Sequence, residues 1–198
     1  PLLSNAALDE ITGGRVFLKC ENLQRTGSFK FRGAFNAIAS LSDQERSHGV
    51  VASSSGNHAQ GLAEAARLFG VPATIVMPAD APAAKRDGTR RRGASIVEYN
   101  RATDDRDAMT ASIVADTGAE LIHPYNDGRV IAGQGTIGLE IAEDLAKRGE
   151  HADIVMVPCG GGGMSAGIGL AISVESPETE VYLAEPEGFA DYGRSLAA

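Results

Sequence analysis

The 198-residue sequence predicts an α/β fold in which parallel sheets are covered by helices on both faces. Short runs rich in β-branched residues alternate along the chain with segments whose apolar residues recur at helical spacing. Parallel strands need a crossover between them, and the usual crossover is a helix. Hydrophobic residues make up 43% of the chain, which is enough for a packed core beneath such layers.

The strand and helix segments can be placed in order along the chain. Predicted strands cover residues 15–20, 50–52, 73–77, 95–98, 120–123, 153–157 and 181–184. One helix is predicted to start with Ser28 as its N-cap, a second to run from Asn57 to Gly70, and a third to cover 136–148. The first helix has an apolar stripe made of Phe31, Ala34, Phe35, Ile38 and Leu41.

The first chemical motif is Ser-Phe-Lys-Phe-Arg-Gly at 28–33, which sets Lys30 at the start of a helix between two aromatic residues. Such surroundings remove water from the ammonium and lower its pKa toward the neutral amine. A neutral amine can attack an aldehyde. Taken alone, Lys30 is more commonly a helix lysine that extends its charge to solvent, so the interpretation depends on two further motifs.

The second motif, Pro-Cys-Gly-Gly-Gly-Gly-Met at 158–164, follows a predicted strand and precedes a helix that starts near Met164. Without Cβ atoms, Gly160, Gly161, Gly162 and Gly163 can present consecutive N–H groups, which suits a phosphate dianion at a helix N-terminus. A tight strand-to-helix turn would need only one or two glycines. No Gly-Lys-Ser/Thr follows, so the motif is not a P-loop.

A dinucleotide site is the alternative for the same glycines. Gly161-x-Gly163-x-x-Ala166 fits the pattern G-x-G-x-x-G/A, and Glu185 follows about 20 residues later. This alternative, an NAD-binding oxidoreductase domain, leaves the Lys30 motif unexplained and lies late in the chain.

The third motif is the loop Ser-Ser-Ser-Gly-Asn-His at 53–58, between a predicted strand and a predicted helix. Ser54, Ser55, Asn57 and His58 bring hydroxyl, amide and imidazole groups to one helix N-terminus, which suits a carboxylate or phenolate oxygen. Helix capping by Ser55 or Asn57 is the simpler explanation of this loop when it is considered alone.

The three motifs together resemble those of the pyridoxal-phosphate enzymes of the tryptophan-synthase-β fold type, in the threonine dehydratase and serine racemase branch. The resemblance extends over the whole chain. It implies two three-layer, doubly wound domains with the cofactor in the cleft between them. A larger domain would comprise 1–48 and 128–198, and a smaller inserted domain would comprise 49–127.

The resemblance also implies a role for each motif. Lys30 would bind the cofactor covalently and act as the catalytic base, and Asn57 would hydrogen-bond the ring hydroxyl. The cofactor phosphate would lie on the glycine loop of Gly160, Gly161, Gly162, Gly163 and Met164. The substrate carboxylate would lie on Ser54, Ser55, Asn57 and His58, with Ser55 as an acid or base on the opposite face. The family residue that binds the pyridine nitrogen would lie beyond residue 198.

Glu185, the Phe189 carbonyl and Asp191 resemble the divalent-cation site of serine racemase and of hydroxyaspartate dehydratases. Two carboxylates and a carbonyl would form half of a Mg²⁺ or Ca²⁺ shell. Two solvated loop acids are the alternative. His123 and Tyr125 also end a predicted strand, where they would either approach the substrate or have a structural role.

The activity implied is dehydration and deamination of L-threonine or L-serine to a 2-oxo acid and ammonia. A 3-hydroxyaspartate ammonia-lyase and a serine racemase are the alternatives within the same family. The chain begins without methionine, and by comparison with the family we expect it to be truncated at both ends. We therefore expect it to be an inactive fragment.

Composition narrows the partners and the compartment. A net charge of −8 argues against nucleic acid, and the basic cluster at 85–92 is explained by a solvated helix face. Cys20 and Cys159 form no disulfide framework and fit no zinc pattern, so free thiols are expected. No apolar run reaches the length of a membrane span. We therefore expect a cytoplasmic enzyme that acts on a small amino acid, binds no membrane and, at full length, forms a homodimer.

Overall fold

The computed structural model describes residues 1–197, which form three sheets and nine α-helices. The strands are β1 Leu2–Ser4, β2 Phe17–Lys19, β3 Val50–Ser53, β4 Ala73–Pro78, β5 Ser95–Tyr99, β6 Glu120–Leu121, β7 Ile154–Pro158 and β8 Glu180–Ala184. The helices are α1 Ala6–Thr12, α2 Lys30–Ala39, α3 Asp43–His48, α4 Asn57–Phe69, α5 Ala83–Arg90, α6 Arg106–Thr117, α7 Gly128–Ala146, α8 Gly163–Glu175 and α9 Asp191–Leu196.

The larger sheet has four parallel strands in the order β5-β4-β3-β6. Because side chains alternate along a strand, β3 sends Val50 and Ala52 to one face and Val51 to the other. The first face packs on α2 and α4, and the second packs on α6 through Met109 and Ile113. The predicted parallel sheet with helices on both faces is confirmed.

The second parallel sheet pairs β7 with β8, in the register Val155↔Val181. Val155 and Val157 point to α7 and α8 and are buried there. The opposite face carries Ile154 and Met156, which are 55% and 70% exposed. Within residues 1–197, therefore, no layer of helices covers this face of the sheet.

The N-terminal segment differs from the prediction. Residues 15–20 were predicted as one strand of a parallel sheet, but β2 is shorter and pairs antiparallel with β1. The three-residue β1 is too short to show a period in the sequence. Such a pairing needs no helical crossover, so the alternation that predicted the other sheets did not apply here.

Helices α2, α7 and α8 approach one another closely through glycine. A Cβ on Gly133 of α7 would lie 2.7 Å from the Arg32 carbonyl oxygen of α2. A Cβ on Gly167 of α8 would lie 2.4 Å from the Ile131 carbonyl oxygen of α7. The third predicted helix starts at 136, whereas α7 starts at Gly128 and includes Gly133 and Gly135. Glycine has low helix propensity in sequence, but here it is required for packing.

The predicted domain boundaries are crossed by part of the core. The four-stranded sheet lies within 49–127 and the β7–β8 sheet lies within 128–198. However, Ala34, Ala37 and Ile38 of α2 are fully buried in the core of the four-stranded sheet. The division into two domains stays a prediction. Within residues 1–197, the helices are all too short or too polar to cross a membrane.

Candidate active site

Lys30 is the first residue of α2, and the residue that caps this helix is Phe29. The prediction of Ser28 as the N-cap is wrong. Ser28 is extended, as a cap residue would be, but its side chain is buried and its hydroxyl has no hydrogen-bond partner within residues 1–197. The α2 N-terminus is therefore positioned by packing and not by a side-chain cap.

The Lys30 amine lies half-buried beneath a backbone carbonyl. Its Nζ donates a hydrogen bond to the Pro124 oxygen at 2.7 Å and lies 5.1 Å from the centre of the Phe29 ring. Burial lowers the Lys30 pKa, in the predicted direction. Only one of the two predicted aromatic neighbours is involved, because Phe31 packs against Phe35 at 5.6 Å between ring centres.

A cavity of about 360 Å³ joins Lys30 to the glycine loop, defined as residues 160–163. The cavity is lined by Phe29, Lys30, Tyr125, Pro158, Cys159, Gly160, Gly161, Gly162, Gly163, Met164 and Ser165. Two of the three motifs, separated by some 130 residues in sequence, thus meet in one space. They meet because α2 and α8 both pack against α7.

The glycine loop presents free hydrogen-bond donors at the start of α8. Gly162 precedes the helix in the left-handed region, with φ of 81°. The N–H groups of residues 160–165 donate no hydrogen bond to any atom of residues 1–197. The first donor that is used is the N–H of Ala166, which bonds the Gly162 oxygen at 2.8 Å. Unpaired N–H groups at a helix N-terminus suit a phosphate dianion.

Packing also requires some of these glycines, which the sequence did not reveal. A Cβ on Gly161 would lie 2.5 Å from Cδ1 of Tyr125, and one on Gly163 would lie 2.6 Å from the Tyr125 oxygen. A Cβ on Gly162 would lie 2.8 Å from the Tyr192 ring. Gly160 has open space around it. Tyr125, which ends a predicted strand, is thus a wall of the loop.

The 53–58 loop lies beside Lys30 but does not line this cavity. Helix α4 starts at Asn57, as predicted, and Gly56 is its N-cap. The Ser54 hydroxyl accepts a hydrogen bond from the Gly56 N–H at 3.2 Å. One turn after Asn57, a Cβ on Gly61 would lie 3.0 Å from the Lys30 carbonyl carbon, so α4 crosses α2 at the lysine. The proposed substrate roles of Ser54, Ser55 and Asn57 stay predictions.

His58 belongs to the packed interior. It is 3% exposed, and its Nε2 lies 2.9 Å from the Ile122 oxygen. Burial lowers the pKa of the imidazole to about 4, so the ring is neutral at pH 7. Contact between the His58 side chain and a substrate stays a prediction. What the structure shows is its contact with the backbone oxygen of Ile122.

Arg32 of the first motif holds the start of α2 from the side opposite Lys30. Its guanidinium donates two hydrogen bonds to Glu21, at 2.7 and 2.9 Å, and two to Glu140 of α7, at 2.6 and 2.7 Å. Lys19 lies 2.7 Å from the same Glu140 carboxylate. The hydrogen bonds from Arg32, together with Lys19, lower the Glu140 pKa to about 2. Sequence analysis missed this network, because the acidic partners lie far apart in the chain.

The predicted metal ligands have other partners. The two Glu185 oxygens accept hydrogen bonds from the N–H groups of Tyr192 and Gly193, at 2.9 and 3.0 Å, which lower the Glu185 pKa. Asp191 accepts a hydrogen bond from Arg194 at 2.8 Å. In the described part of the chain, no group of three or more His, Cys, Asp or Glu side chains is placed to hold a metal ion.

The fold and this cavity are those expected of the pyridoxal-phosphate enzymes that the sequence resembles. Comparison with known proteins gives the same family. The family of pyridoxal-phosphate dependent enzymes matches residues 1–198, so the chain belongs to that family. The glycine loop is thereby explained without the dinucleotide alternative.

Three known proteins illustrate the similarity. The L-threonine ammonia-lyase of Thermotoga maritima is 50% identical over 195 residues, which are 98% of this chain and 48% of the relative. The L-threo-3-hydroxyaspartate ammonia-lyase of a Pseudomonas species is 50% identical over 196 residues, which are 99% of this chain and 60% of the relative. The crystal structure of serine racemase from Dictyostelium discoideum superposes with a TM-score of 0.94 at 41% identity and covers 100% of this chain and 63% of that one. The chain thus spans about half to two thirds of the length of the proteins it matches.

The residues present fit the cofactor that the family uses. One cavity contains the Lys30 amine, whose pKa is lowered, and the unpaired N–H donors of the glycine loop, which suit a phosphate. The Phe29 ring lines the same cavity. Lys30 would hold the aldehyde of pyridoxal phosphate, and the N–H groups of residues 160–165 would hold its phosphate.

Proposed function

We propose that the full-length protein removes water and ammonia from L-threonine or L-serine, with pyridoxal phosphate as its cofactor. One observation carries the proposal: the Lys30 amine and the unpaired N–H groups of the glycine loop line the same cavity. The relatives of this chain include an L-threonine ammonia-lyase that is 50% identical, which supports the choice of substrate.

The chemistry that the bound cofactor supplies is stabilisation of negative charge at the substrate α-carbon. Lys30 Nζ is the base that removes the α-proton. Burial lowers its pKa, so more of the amine is neutral at pH 7 than in an exposed lysine. The Pro124 oxygen, 2.7 Å away, orients the amine when it is not engaged.

The glycine loop anchors the phosphate through backbone N–H groups and the α8 N-terminus, without a charged side chain. Phe29 and Tyr125 form apolar walls of the cavity. These walls limit the access of water to the α-carbon and so protect the charge that develops there. Asn57 would hydrogen-bond the hydroxyl of the cofactor ring, and Ser54 and Ser55 would bind the substrate carboxylate.

Two further activities remain candidates within the proposal, each favoured by one observation. A relative that acts on L-threo-3-hydroxyaspartate is 50% identical, and a serine racemase has the same fold. Ser55, half-buried in the loop beside Lys30, would supply the second proton-transfer group that racemisation needs. A Ser55→Ala variant should lose racemisation while it retains elimination.

The decisive experiment uses the full-length protein with bound cofactor. Borohydride reduction followed by peptide mapping should place the cofactor on Lys30, with Lys19, Lys85 and Lys147 unlabelled as internal controls. Turnover should then be measured with threonine, serine and both 3-hydroxyaspartate diastereomers. A label on another lysine, or no cofactor binding at all, would refute the proposal. The relative rates would identify the substrate.

Three finer proposals rest on the resemblance: a homodimer, a cytoplasmic location, and Mg²⁺ or Ca²⁺ bound by Glu185, Phe189 and Asp191. The two Glu185 oxygens, which accept hydrogen bonds from the N–H groups of Tyr192 and Gly193, would offer their remaining lone pairs to the metal. Metal should raise the melting temperature of the full-length enzyme and leave a Glu185→Ala variant unchanged. Equal shifts in both proteins would exclude Glu185 as a ligand. Sedimentation of the full-length protein tests the dimer.

A further inference from the structure

The segment 122–125 contacts all three motifs. The Ile122 oxygen accepts a hydrogen bond from His58, and the Pro124 oxygen accepts one from Lys30. Tyr125 lies against Gly161 and Gly163, where added Cβ atoms would come within 2.6 Å of it. The position of this segment therefore affects both the amine and the phosphate cup.

The His58 side chain makes one hydrogen bond within residues 1–197, and that bond goes to this segment. Because the Ile122 oxygen can only accept, Nε2 carries the proton and Nδ1 does not. Nδ1 is buried and has no partner in the described chain. The titratable groups that act on the imidazole are Lys30, His123 and Asp127. Lys30 and His123 lower its pKa further, and burial outweighs the opposite effects of Asp127 and of the Ile122 hydrogen bond, so the ring stays neutral.

The Ile122 carbonyl needs such a donor because it lies just past β6, an edge strand of the four-stranded sheet. The Ile122 N–H is paired with the Val51 oxygen at 2.9 Å, which continues the ladder. The ladder between β3 and β6 ends at this point, and within residues 1–197 no backbone N–H donates to the oxygen of the fully buried Ile122. An apolar residue at 58 would fill the space but would leave this buried oxygen unpaired.

We infer that His58 is a positioning residue: its Nε2–H fixes the 122–125 segment, so that the Pro124 carbonyl lies beneath the Lys30 amine and Tyr125 lies on the glycine loop. The inference rests on the proposed function only in taking Lys30 as the amine that binds the cofactor. It assigns the His58 side chain to the support of the site and not to the substrate.

Three variants of the full-length enzyme separate hydrogen bonding from volume. His58→Gln keeps an N–H donor at about the position of Nε2, and His58→Leu keeps the volume without a donor. His58→Asn keeps a polar amide that is one methylene too short to reach the Ile122 oxygen. The three variants therefore differ in whether a donor reaches this carbonyl.

Two measurements apply to each variant. The first is the dissociation constant for pyridoxal phosphate. The second, made without cofactor, is the pH dependence of Lys30 labelling by an amine reagent, with the exposed Lys85 as the reference. We expect Leu and Asn to weaken cofactor binding about tenfold, the effect of one hydrogen bond lost at a buried acceptor. They should also raise the labelling pKa of Lys30 toward that of an ordinary lysine, because the 122–125 segment would no longer bury its amine. Gln should resemble the parent in both.

Parent-like behaviour of His58→Leu in both measurements would reduce His58 to a space-filling residue. Equal loss of cofactor binding in the Gln and Leu variants would show that the hydrogen bond does not position the segment.

If the variants do not fold, nitrogen NMR of the histidines in the parent protein still tests the inference. His58 should be neutral, with its proton on Nε2, down to about pH 5. A proton on Nδ1, or titration near the ordinary histidine pKa, would overturn the inference. Because labelling and NMR use no cofactor, failure of the proposed function would be seen separately, as absent fixation at Lys30.

Discussion

Replacement of Gly161 by alanine tests whether the glycine loop holds the cofactor phosphate. The added Cβ would lie 2.5 Å from Cδ1 of Tyr125, whereas carbon atoms settle at about 3.5–4.0 Å. The ring or the loop must therefore move by about 1 Å. Tyr125 is 43% exposed, so its ring can swing outward and the protein should still fold.

The expected cost follows from the hydrogen bonds to the phosphate. A hydrogen bond to a charged group contributes about 1.5–3 kcal/mol, so misaligning one or two of the N–H donors should weaken cofactor binding by about 10- to 20,000-fold. Gly161→Asp should be worse, because its carboxylate repels the dianion. The assay is titration of the full-length, cofactor-free enzyme with pyridoxal phosphate, followed by fluorescence.

Two controls separate phosphate binding from general damage. Gly169→Ala lies on α8, the helix that follows the glycine loop, where the added Cβ meets nothing within 4 Å, and it should leave the dissociation constant unchanged. Tyr125→Ala in the Gly161→Ala background should restore part of the affinity by removing the clash. A dissociation constant for Gly161→Ala within twofold of the parent would refute the assignment and leave the glycines as packing residues.

Two other predictions concern stability. Gly167→Ala should destabilise the protein by about 1–3 kcal/mol in a denaturant titration, because the Cβ would meet the Ile131 oxygen at 2.4 Å, while Gly169→Ala should be neutral or slightly stabilising; equal effects would refute the close-packing argument. The folded-state pKa of Glu140, about 2, is below its ordinary value of 4.5, so its contribution to stability should be present above pH 4.5 and be lost as the pH falls toward 2. Solvent screens this 41% exposed side chain and reduces the effect. Glu140→Gln should flatten the pH dependence of the free energy of unfolding in that window, and an unchanged slope would contradict the prediction.

The helical and strand patterns of the sequence located most of the parallel architecture. Strands β3, β4, β5 and β8 and helix α4 begin and end within a residue or two of the predicted bounds. The errors have physical causes. Helix α7 was predicted too short because glycine reads as a helix breaker, although Gly133 and Gly135 are what allow α2 and α8 to approach it.

The sequence by itself identified the chemical groups of the site: an amine among aromatic residues, a run of glycines after a strand, and a polar loop at a helix start. Their types and spacing are local properties, so they can be recognised without coordinates, and the family match agrees with them.

Which of these groups share a space was decided only by the tertiary structure. Lys30 meets the glycine loop because α7 packs against both α2 and α8, and its amine is oriented by a carbonyl of Pro124, a residue with no distinctive side chain. His58 turned inward because its helix crosses α2 at Gly61, which buries the ring beside the end of an edge strand. Burial and backbone contacts of this kind depend on residues far apart in sequence, and therefore no local pattern encodes them.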